Sequence, residues 1–325
     1  MDDIAALAGV SKPTVSRALQ DSPLVNAKTK AHVLKVAQRH GYVVNRNAQN
    51  LRRQRNDVIA LALDYSSLPD QRLTDPFHFQ LLASVANALA ARNLDLLMCS
   101  PQHARYETLL TSKSADGLLL VGQGGREDKL RRLARAGVPF VVWGSPDPAG
   151  GYSVVGSDNA LGGRLAARRF LETGRRRLAF LGPAGHTEIA ARRAGFGAEL
   201  AKAGHGTKVR DLPVADFSYE AGVAAARAAL ANGAPFPDAI FCASDTLAIA
   251  TIAVLRETGV DVPSACSVIG FDDGPSAVLH IPPLTTIRQD TRMAGAVWVE
   301  TLMRVIDGAA PRPVLLPVEL VVRGT

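Results

Sequence analysis

Hydrophobic positions in the first forty residues recur at the three- and four-residue spacing of amphipathic helices. Gly9 is expected to end the first helix, since glycine readily adopts the left-handed conformation of a helix C-terminus, and Ser11 to cap the second. A third helix is predicted over about 27–40, with Asn26 as its N-cap and Gly41 at its end. The residues expected to face inward are Ile4, Leu7, Ala8, Val15, Ala18, Leu19, Val33, Leu34, Val36 and Ala37.

The second of these helices carries polar groups on its outer face. The residues that point outward are Lys12, Pro13, Ser16, Arg17 and Gln20. Such a helix fits the major groove of DNA, where arginine can donate to guanine and glutamine can bond to adenine. The same short pattern also fits a small amphipathic hairpin with a solvated face, and these residues alone leave both interpretations open.

From Asp57 onward, short apolar runs alternate with segments of helical periodicity. The run 58–63 is continuously apolar, as expected of a buried parallel strand. Further strands are predicted at 94–99, 117–121, 140–143, 153–155, 178–181, 239–242 and 268–271, with short strands near the C-terminus. Helices are predicted near 77–92, 106–112, 128–136, 159–172, 190–203, 219–231, 246–258 and 293–306. Repeated strand–helix units predict parallel sheets with helices on both faces, and the number of strands predicts two α/β lobes.

Ligands of such folds bind at the carboxyl ends of the strands. This rule draws attention to four polar segments that follow predicted strands, namely 75–79, 186–192, 244–245 and 272–273.

The excess of positive over negative charge lies entirely within residues 1–56. The net charge is +7, and residues 1–56 hold ten Lys or Arg against three Asp, whereas the remaining residues hold 27 basic and 27 acidic side chains. This asymmetry favours a polyanionic partner for the helical segment. Contacts of this kind set affinity and its salt dependence more than sequence choice.

Residues 42–55 are strongly basic and lack apolar periodicity. Their composition predicts no stable structure in isolation. Asn45 could cap a short helix on which Ala48 and Leu51 share a face. A basic linker is one interpretation; a helix whose exposed leucine enters the minor groove of DNA is the other.

Other protein classes are poorly supported. Cys99, Cys242 and Cys266 have neither disulfide-framework nor metal-ligand spacing, and no apolar run is long enough to cross a bilayer. The segment Gly122–Gly125 lacks the Lys-Ser/Thr pair of a phosphate loop, and no catalytic cluster occurs at informative spacing. We therefore expect a cytoplasmic protein that is not an enzyme and uses no metal or cofactor. A solute-binding transport protein would match the α/β region but would leave the basic head unexplained.

Several motifs occur together in a characteristic order. They are Asp3–Ala5, Ala8–Ser11, Thr14–Leu19, Gly41-Tyr42, Asn45, Ala48, Leu51, Asp116-Gly117, Asp158-Asn159, Gly174, Arg177, Ala179–Gly182, Gly270–Asp273, Pro282–Ile287 and Gln289-Asp290. With these motifs the chain resembles the LacI/GalR family of bacterial transcription regulators over essentially its whole length.

The resemblance implies a helix-turn-helix head over 1–41, a hinge helix or linker over 42–56, and an effector-binding and dimerisation domain over 57–325. This domain would resemble periplasmic sugar-binding proteins, with one lobe of about 57–156 and 288–314 and another of about 157–287 and 315–325. The fold class is α/β, with an all-α head and a two-lobed core of parallel sheets.

The implied function is a homodimeric repressor of carbohydrate-metabolism genes that binds a near-palindromic operator and responds to a small sugar-like effector. A co-repressed or activating regulator of a non-sugar ligand, such as a nucleobase or sugar acid, is the alternative. The resemblance assigns DNA contacts to Ser11, Lys12, Pro13, Thr14, Ser16, Arg17, Asn45, Ala48, Gln49, Leu51 and Arg52. Val44 departs from the family, which often has proline there.

The resemblance also assigns an effector site. Arg192 would hold the effector with its five-donor fork, Asp272 would accept from ligand hydroxyls, and an aromatic ring would pack on the ligand at Phe217. The complete set is Phe77, His78, His186, Glu188, Arg192, Phe217, Ser244, Asp272 and Gln289. Without the resemblance, other roles remain open for these residues. Arg192 could be a surface arginine beside Arg193, and Asp272 a turn residue. Phe217 could be a core aromatic residue, and His78 a structural histidine.

Overall fold

The computed structural model describes residues 1–19, 21–42, 55–63, 75–99, 112, 114–122, 127–147, 150–204, 209–231 and 235–325. The chain divides into two compact units, Met1–Asn56 and Asp57–Thr325. The hinge residues Asn45, Ala48, Gln49, Leu51 and Arg52 lie outside the described residues, as do Gln20 and most of the helix predicted near 106–112.

The first unit consists of three helices, α1 (Asp2–Ala8), α2 (Lys12–Leu19) and α3 (Ala27–Arg39). The predicted helix ends are confirmed. Gly9 has φ 61° after α1, the Ser11 hydroxyl accepts from the Thr14 amide at 3.3 Å, and the Asn26 side chain accepts from the Thr29 amide at 2.8 Å.

The core of this unit is smaller than the hydrophobic pattern predicts. Its buried residues are Ile4, Ala5, Ala8, Val15, Ala18, Val33 and Ala37. The inward placement of Leu7 and Leu34 is wrong, because these side chains are 52% and 46% exposed. Successive helical residues are turned by about 100°, so a stripe through Val33 and Ala37 leaves Leu34 to one side. Leu7 is displaced in the same way from the stripe through Ile4, Ala5 and Ala8.

The second unit contains two six-stranded sheets. The first has the order β11-β5-β4-β3-β1-β2 and is parallel throughout. Its strands are β1 (Val58–Leu63), β2 (Asp95–Cys99), β3 (Gly117–Val121), β4 (Phe140–Trp143), β5 (Ser153–Ser157) and β11 (Pro313–Leu316). The helices α4 (Pro76–Ala90), α5 (Glu127–Arg135) and α11 (Thr291–Ile306) belong to this lobe.

The second sheet has the order β12-β10-β9-β8-β6-β7, in which only β12 is antiparallel to its neighbour, with Gln289 opposite Val318. Its strands are β6 (Leu178–Pro183), β7 (Arg210–Val214), β8 (Ala239–Cys242), β9 (Ser267–Asp272), β10 (Thr285–Gln289) and β12 (Val318–Val321). Its helices are α6 (Asn159–Glu172), α7 (Thr187–Lys202), α8 (Tyr219–Ala231), α9 (Asp245–Glu257) and α10 (Pro275–Leu279).

The chain crosses between the sheets after β5, after β10 and after β11. Strands β5, β10 and β11 each run one or two residues past the expected lobe boundaries, so Ser157 and residues 315–316 lie in the first sheet and residues 288–289 in the second. Strands β7 and β10 and helix α10 have no counterpart in the pattern analysis. Strand β7 lies at a sheet edge and contains Arg210, Asp211 and Pro213, a composition that gives little strand signal.

Within the described residues, no helix has the length and apolar character needed to span a membrane. The same part of the chain contains no group of three or more His, Cys, Asp or Glu side chains arranged to hold a metal ion.

Candidate functional site

A cavity lies between the two lobes, where the strands of both sheets end. From the first lobe it is lined by Asp75, Phe77, His78, Val121, Gly122 and Trp143. From the second lobe it is lined by His186, Glu188, Ile189, Arg192, Phe217, Ala243, Ser244 and Asp272. Eight of the nine residues expected at an effector site therefore line one cavity. The ninth, Gln289, is a buried residue whose side-chain amide donates to the Asp272 carboxyl at 2.6 Å.

Arg192 is the central cation of this cavity. Its Nε donates to Asn159 Oδ1 at 2.8 Å and its Nη1 to the Ala243 carbonyl, while its guanidinium carbon lies 3.6 Å from the centre of the Phe271 ring. These contacts fix the guanidinium plane. Among the described residues, Nη2 has no hydrogen-bond partner, so its donors are available to a ligand in the cavity.

Two glycines allow Arg192 to reach this position. A Cβ on Gly163 of α6 would lie 2.0 Å from the Arg192 carbonyl oxygen, and a Cβ on Gly195 of α7 would lie 2.0 Å from the Ala160 carbonyl oxygen. The two helices thus pack backbone against backbone. This close approach places Asn159, at the start of α6, beside the Arg192 side chain.

Asp272 ends β9 and has an unusual backbone conformation, with φ 121°. Non-glycine residues rarely adopt this region, and such strain is concentrated at functional positions. Burial raises the pKa of the Asp272 carboxyl well above its ordinary value, and the nearby Asp75 and Asp245 raise it further. Arg192 and the Gln289 hydrogen bond oppose this shift. The Asp272 carboxyl group therefore lies buried within the electrostatic influence of the Arg192 cation.

Aromatic rings form the walls of the cavity. Trp143, at the end of β4, lies 6.0 Å from the Phe77 ring and 5.9 Å from the Trp298 ring, centre to centre. In the other lobe, the His186 and Phe217 rings pack edge to face at 5.5 Å. Ring faces combined with a few polar groups suit a ligand that has apolar C–H faces and hydroxyl edges.

The remaining titratable groups adjust the charge of the cavity. Burial lowers the pKa of the His78 and His186 imidazoles, which favours their neutral forms at pH 7. Asp245 lies in the first turn of α9, where it accepts from the Thr286 hydroxyl at 2.5 Å and from the Gly274 amide at 2.8 Å. Burial raises its pKa to about 7.

The pattern analysis did not identify Trp143 or Asn159 as site residues, and it included Asp75 only within a flagged segment. Trp143 could have been found as an aromatic residue at the carboxyl end of a predicted strand. Asn159 belongs to the recognised Asp158-Asn159 motif, yet its bond to Arg192, 33 residues away, has no local signal.

In the first unit, the predicted DNA-contact residues lie on and before α2. Ser11, Lys12, Pro13 and Arg17 are exposed, whereas Thr14 and Ser16 are partly buried. The Ser11 and Thr14 hydroxyls are hydrogen-bonded to each other at 2.8 Å, and the Lys12 ammonium forms an ion pair with Asp2 at 2.9 Å. Arg17 is therefore the exposed cation of this helix that forms no ion pair among the described residues.

Comparisons with known proteins agree with this architecture. Residues 1–45 match the family described as bacterial regulatory proteins, lacI family, and residues 167–325 match the periplasmic binding protein-like domain. The HTH-type transcriptional regulator CelR of Thermobifida fusca is 35% identical to this chain, over 98% of this chain and 95% of the relative.

Two solved structures are similar over nearly the whole chain. A transcriptional regulator CelR–cellobiose complex has a TM-score of 0.73 and 34% identity, covering 99% of this chain and 98% of its own. A lac repressor dimer bound to operator and the anti-inducer ONPF has a TM-score of 0.85 and 26% identity, with coverage of 99% and 97%. The chain therefore belongs to the lacI family of bacterial regulatory proteins, and it is a DNA-binding transcription regulator and not an enzyme.

Proposed function

We propose that this regulator represses carbohydrate-metabolism genes and that a neutral sugar in the cavity between the lobes releases it from its operator. The observation that supports this most directly is that Arg192 and Asp272 line one cavity with aromatic rings at the ends of both sheets. A lacI-family head in the same chain supplies the DNA-binding function. Such a regulator acts in the cytoplasm, where the chromosome lies.

The chemistry of the cavity favours an uncharged ligand. Three carboxyl groups, those of Asp75, Glu188 and Asp272, face one guanidinium. Hydroxyl groups can donate to the carboxyl groups and accept from Arg192 at the same time. A sugar acid, one of the alternative effectors, would add a negative charge to a site where burial and neighbouring acids already raise the pKa of Asp272. The structure of CelR with bound cellobiose supports a carbohydrate ligand for this related chain.

Operator recognition is proposed to reside in the first unit and the hinge. Ser11, Lys12, Pro13, Thr14, Ser16 and Arg17 face the major groove, with Arg17 as the main direct donor to guanine. From the hinge, Asn45, Ala48, Gln49, Leu51 and Arg52 contact the minor groove, and Leu51 enters the central base step.

The chain is proposed to act as a homodimer on a near-palindromic site, as the lac repressor structure with bound operator is a dimer. Exposed apolar side chains on the second lobe support a self-association surface there. Val278, Leu279 and Ile281 are 55%, 79% and 76% exposed and nearly consecutive in sequence. Such apolar groups on a protein surface are typical of interfaces.

Fluorescence anisotropy with the DNA upstream of the chain's own gene tests this function. We expect tight binding that is lost on scrambled DNA and weakened by cellobiose or another neutral sugar of a panel.

Arg17→Ala should weaken operator binding by about 2 kcal/mol. Lys202→Ala is the control and should not weaken it, because Lys202 is an exposed basic residue of the second unit. Leu51→Ala should weaken operator binding without changing sugar affinity. Binding without sequence preference, or unaffected by every sugar, would contradict the proposal.

A further inference from the structure

A second cavity adjoins the cavity between the lobes, which we call the cleft, and lies between the first half of α7 and strands β6 and β7. We refer to it as the α7 groove, and its wall residues include Phe180, Ile189, Ala190, Arg193, Asp211 and Leu212. Most of this wall is apolar. Its polar side chains are His186, Arg193 and Asp211, and the last two are joined by an ion pair of 2.5 Å between Nε and Oδ1.

The α7 groove and the cleft are neighbours. His186 and Ile189 line both of them, so the two cavities are separated by little more than these side chains. Two successive residues of α7 line different cavities, since Arg192 lines the cleft and Arg193 lines the groove. The groove has a volume of about 300 Å³, which lies within the range of small-molecule sites.

We propose that the α7 groove is a second carbohydrate subsite and that the effector is an oligosaccharide, which extends from the cleft past His186 into the groove. This inference rests on the proposed carbohydrate function of the cleft. Ile189 and Leu212 are largely buried and form the apolar floor of the groove, against which the C–H face of a sugar ring would lie. The Arg193 fork and the Asp211 carboxylate supply donors and acceptors for ring hydroxyls, and both side chains are partly exposed at the groove.

The test fills the groove without touching the cleft. Ala190 is an exposed residue of α7 that lines the groove and not the cleft, so Ala190→Phe occupies the space of the proposed second sugar. Ala198→Phe is the matched control, because Ala198 is exposed on the same helix and lines neither cavity. Asp211→Asn provides a second variant of nearly unchanged size. Operator binding and thermal unfolding of the full chain establish that each variant is folded.

Isothermal titration with glucose, cellobiose and cellotriose measures the effect. In the unchanged protein, we expect affinity to rise by about tenfold or more at one step of this series, equivalent to about 1.4 kcal/mol. Ala190→Phe should abolish this rise while leaving the glucose affinity unchanged, Asp211→Asn should reduce it, and Ala198→Phe should retain it.

Three results would overturn the inference. If all three sugars bind the unchanged protein equally, or if Ala190→Phe retains the full rise, the groove is not a subsite, although the cleft remains a sugar site. If none of the three sugars binds, the groove is rejected as a subsite for this glucan series, together with a glucan effector for the cleft.

Discussion

The two lobes contribute different chemistry to the cleft. The second lobe supplies a set of polar side chains that are already hydrogen-bonded. Arg192 donates to Asn159 and to the Ala243 carbonyl, and Asp272 accepts from Gln289. The first lobe supplies mainly ring faces, with Trp143 packed against Phe77 and Trp298.

This difference indicates a division of labour in ligand binding. Polar groups that are fixed before binding lose little conformational freedom when the ligand arrives. The second lobe is therefore suited to orient the ligand hydroxyls. The first lobe is suited to cover the ligand and exclude water, so that ligand binding can favour one arrangement of the lobes over another.

The largest effect should come from disrupting the polar group of the second lobe. Arg192→Lys retains a positive charge but loses the planar fork that contacts both Asn159 and the Ala243 carbonyl. Sugar binding should weaken by about 100-fold, or about 2.7 kcal/mol, as expected when hydrogen bonds to a buried charged group are lost. Titration calorimetry measures this change, and operator affinity without sugar should stay the same. Unchanged sugar affinity would remove Arg192 from the site.

A smaller effect is expected from the first lobe. Trp143→Leu removes a ring face while retaining apolar volume, so sugar affinity should fall by about tenfold, or about 1.4 kcal/mol. Trp143→Phe retains a ring, so its sugar affinity should fall less than that of Trp143→Leu. If Trp143→Leu weakened binding more than Arg192→Lys, the ring faces of the first lobe would be the principal determinants of affinity.

The smallest effect concerns the pH dependence of stability in the second lobe. The folded state raises the pKa of Asp245 to about 7, above its ordinary value, so the protonated carboxyl is favoured on folding. Its contribution to stability is therefore complete below pH 4 and is lost as the pH rises through 7. Relative to Asp245→Asn, which cannot ionise, the unchanged protein should lose about 1 kcal/mol of stability between pH 6 and pH 7. Chemical denaturation at several pH values tests this, and parallel curves for both proteins would contradict it.

The head was predictable because its signals are local. Gly9, Ser11 and Asn26 act on residues within a few positions of themselves, so the chain pattern alone identifies the helix ends. The exposure of Leu7 and Leu34 was not predictable, since a three-helix unit buries a narrower stripe than apolar residues alone suggest. The neighbouring residues in sequence do not reveal whether a hydrophobic side chain at the edge of such a stripe is exposed or buried.

The cleft was predictable in part. The rule that ligands bind at the carboxyl ends of strands, together with the family motifs, selected eight of its lining residues. Trp143 carries a local signal, an aromatic ring at the carboxyl end of a predicted strand, whereas the importance of Asn159 depends on its bond to Arg192 of the neighbouring helix. The α7 groove depends on β7, an edge strand with little strand signal of its own.

The amino-acid sequence by itself determined the local helices of the head, the concentration of positive charge in residues 1–56, the alternating α/β plan and the family of the protein. Only the tertiary structure decided which strand ends meet, how closely α6 and α7 approach, and that His186 and Ile189 separate two cavities. The physical reason is the separation along the chain between the residues that interact. Helix capping, periodicity and charge act over a few residues, whereas the cleft brings together side chains from segments more than a hundred residues apart, and their positions follow from packing.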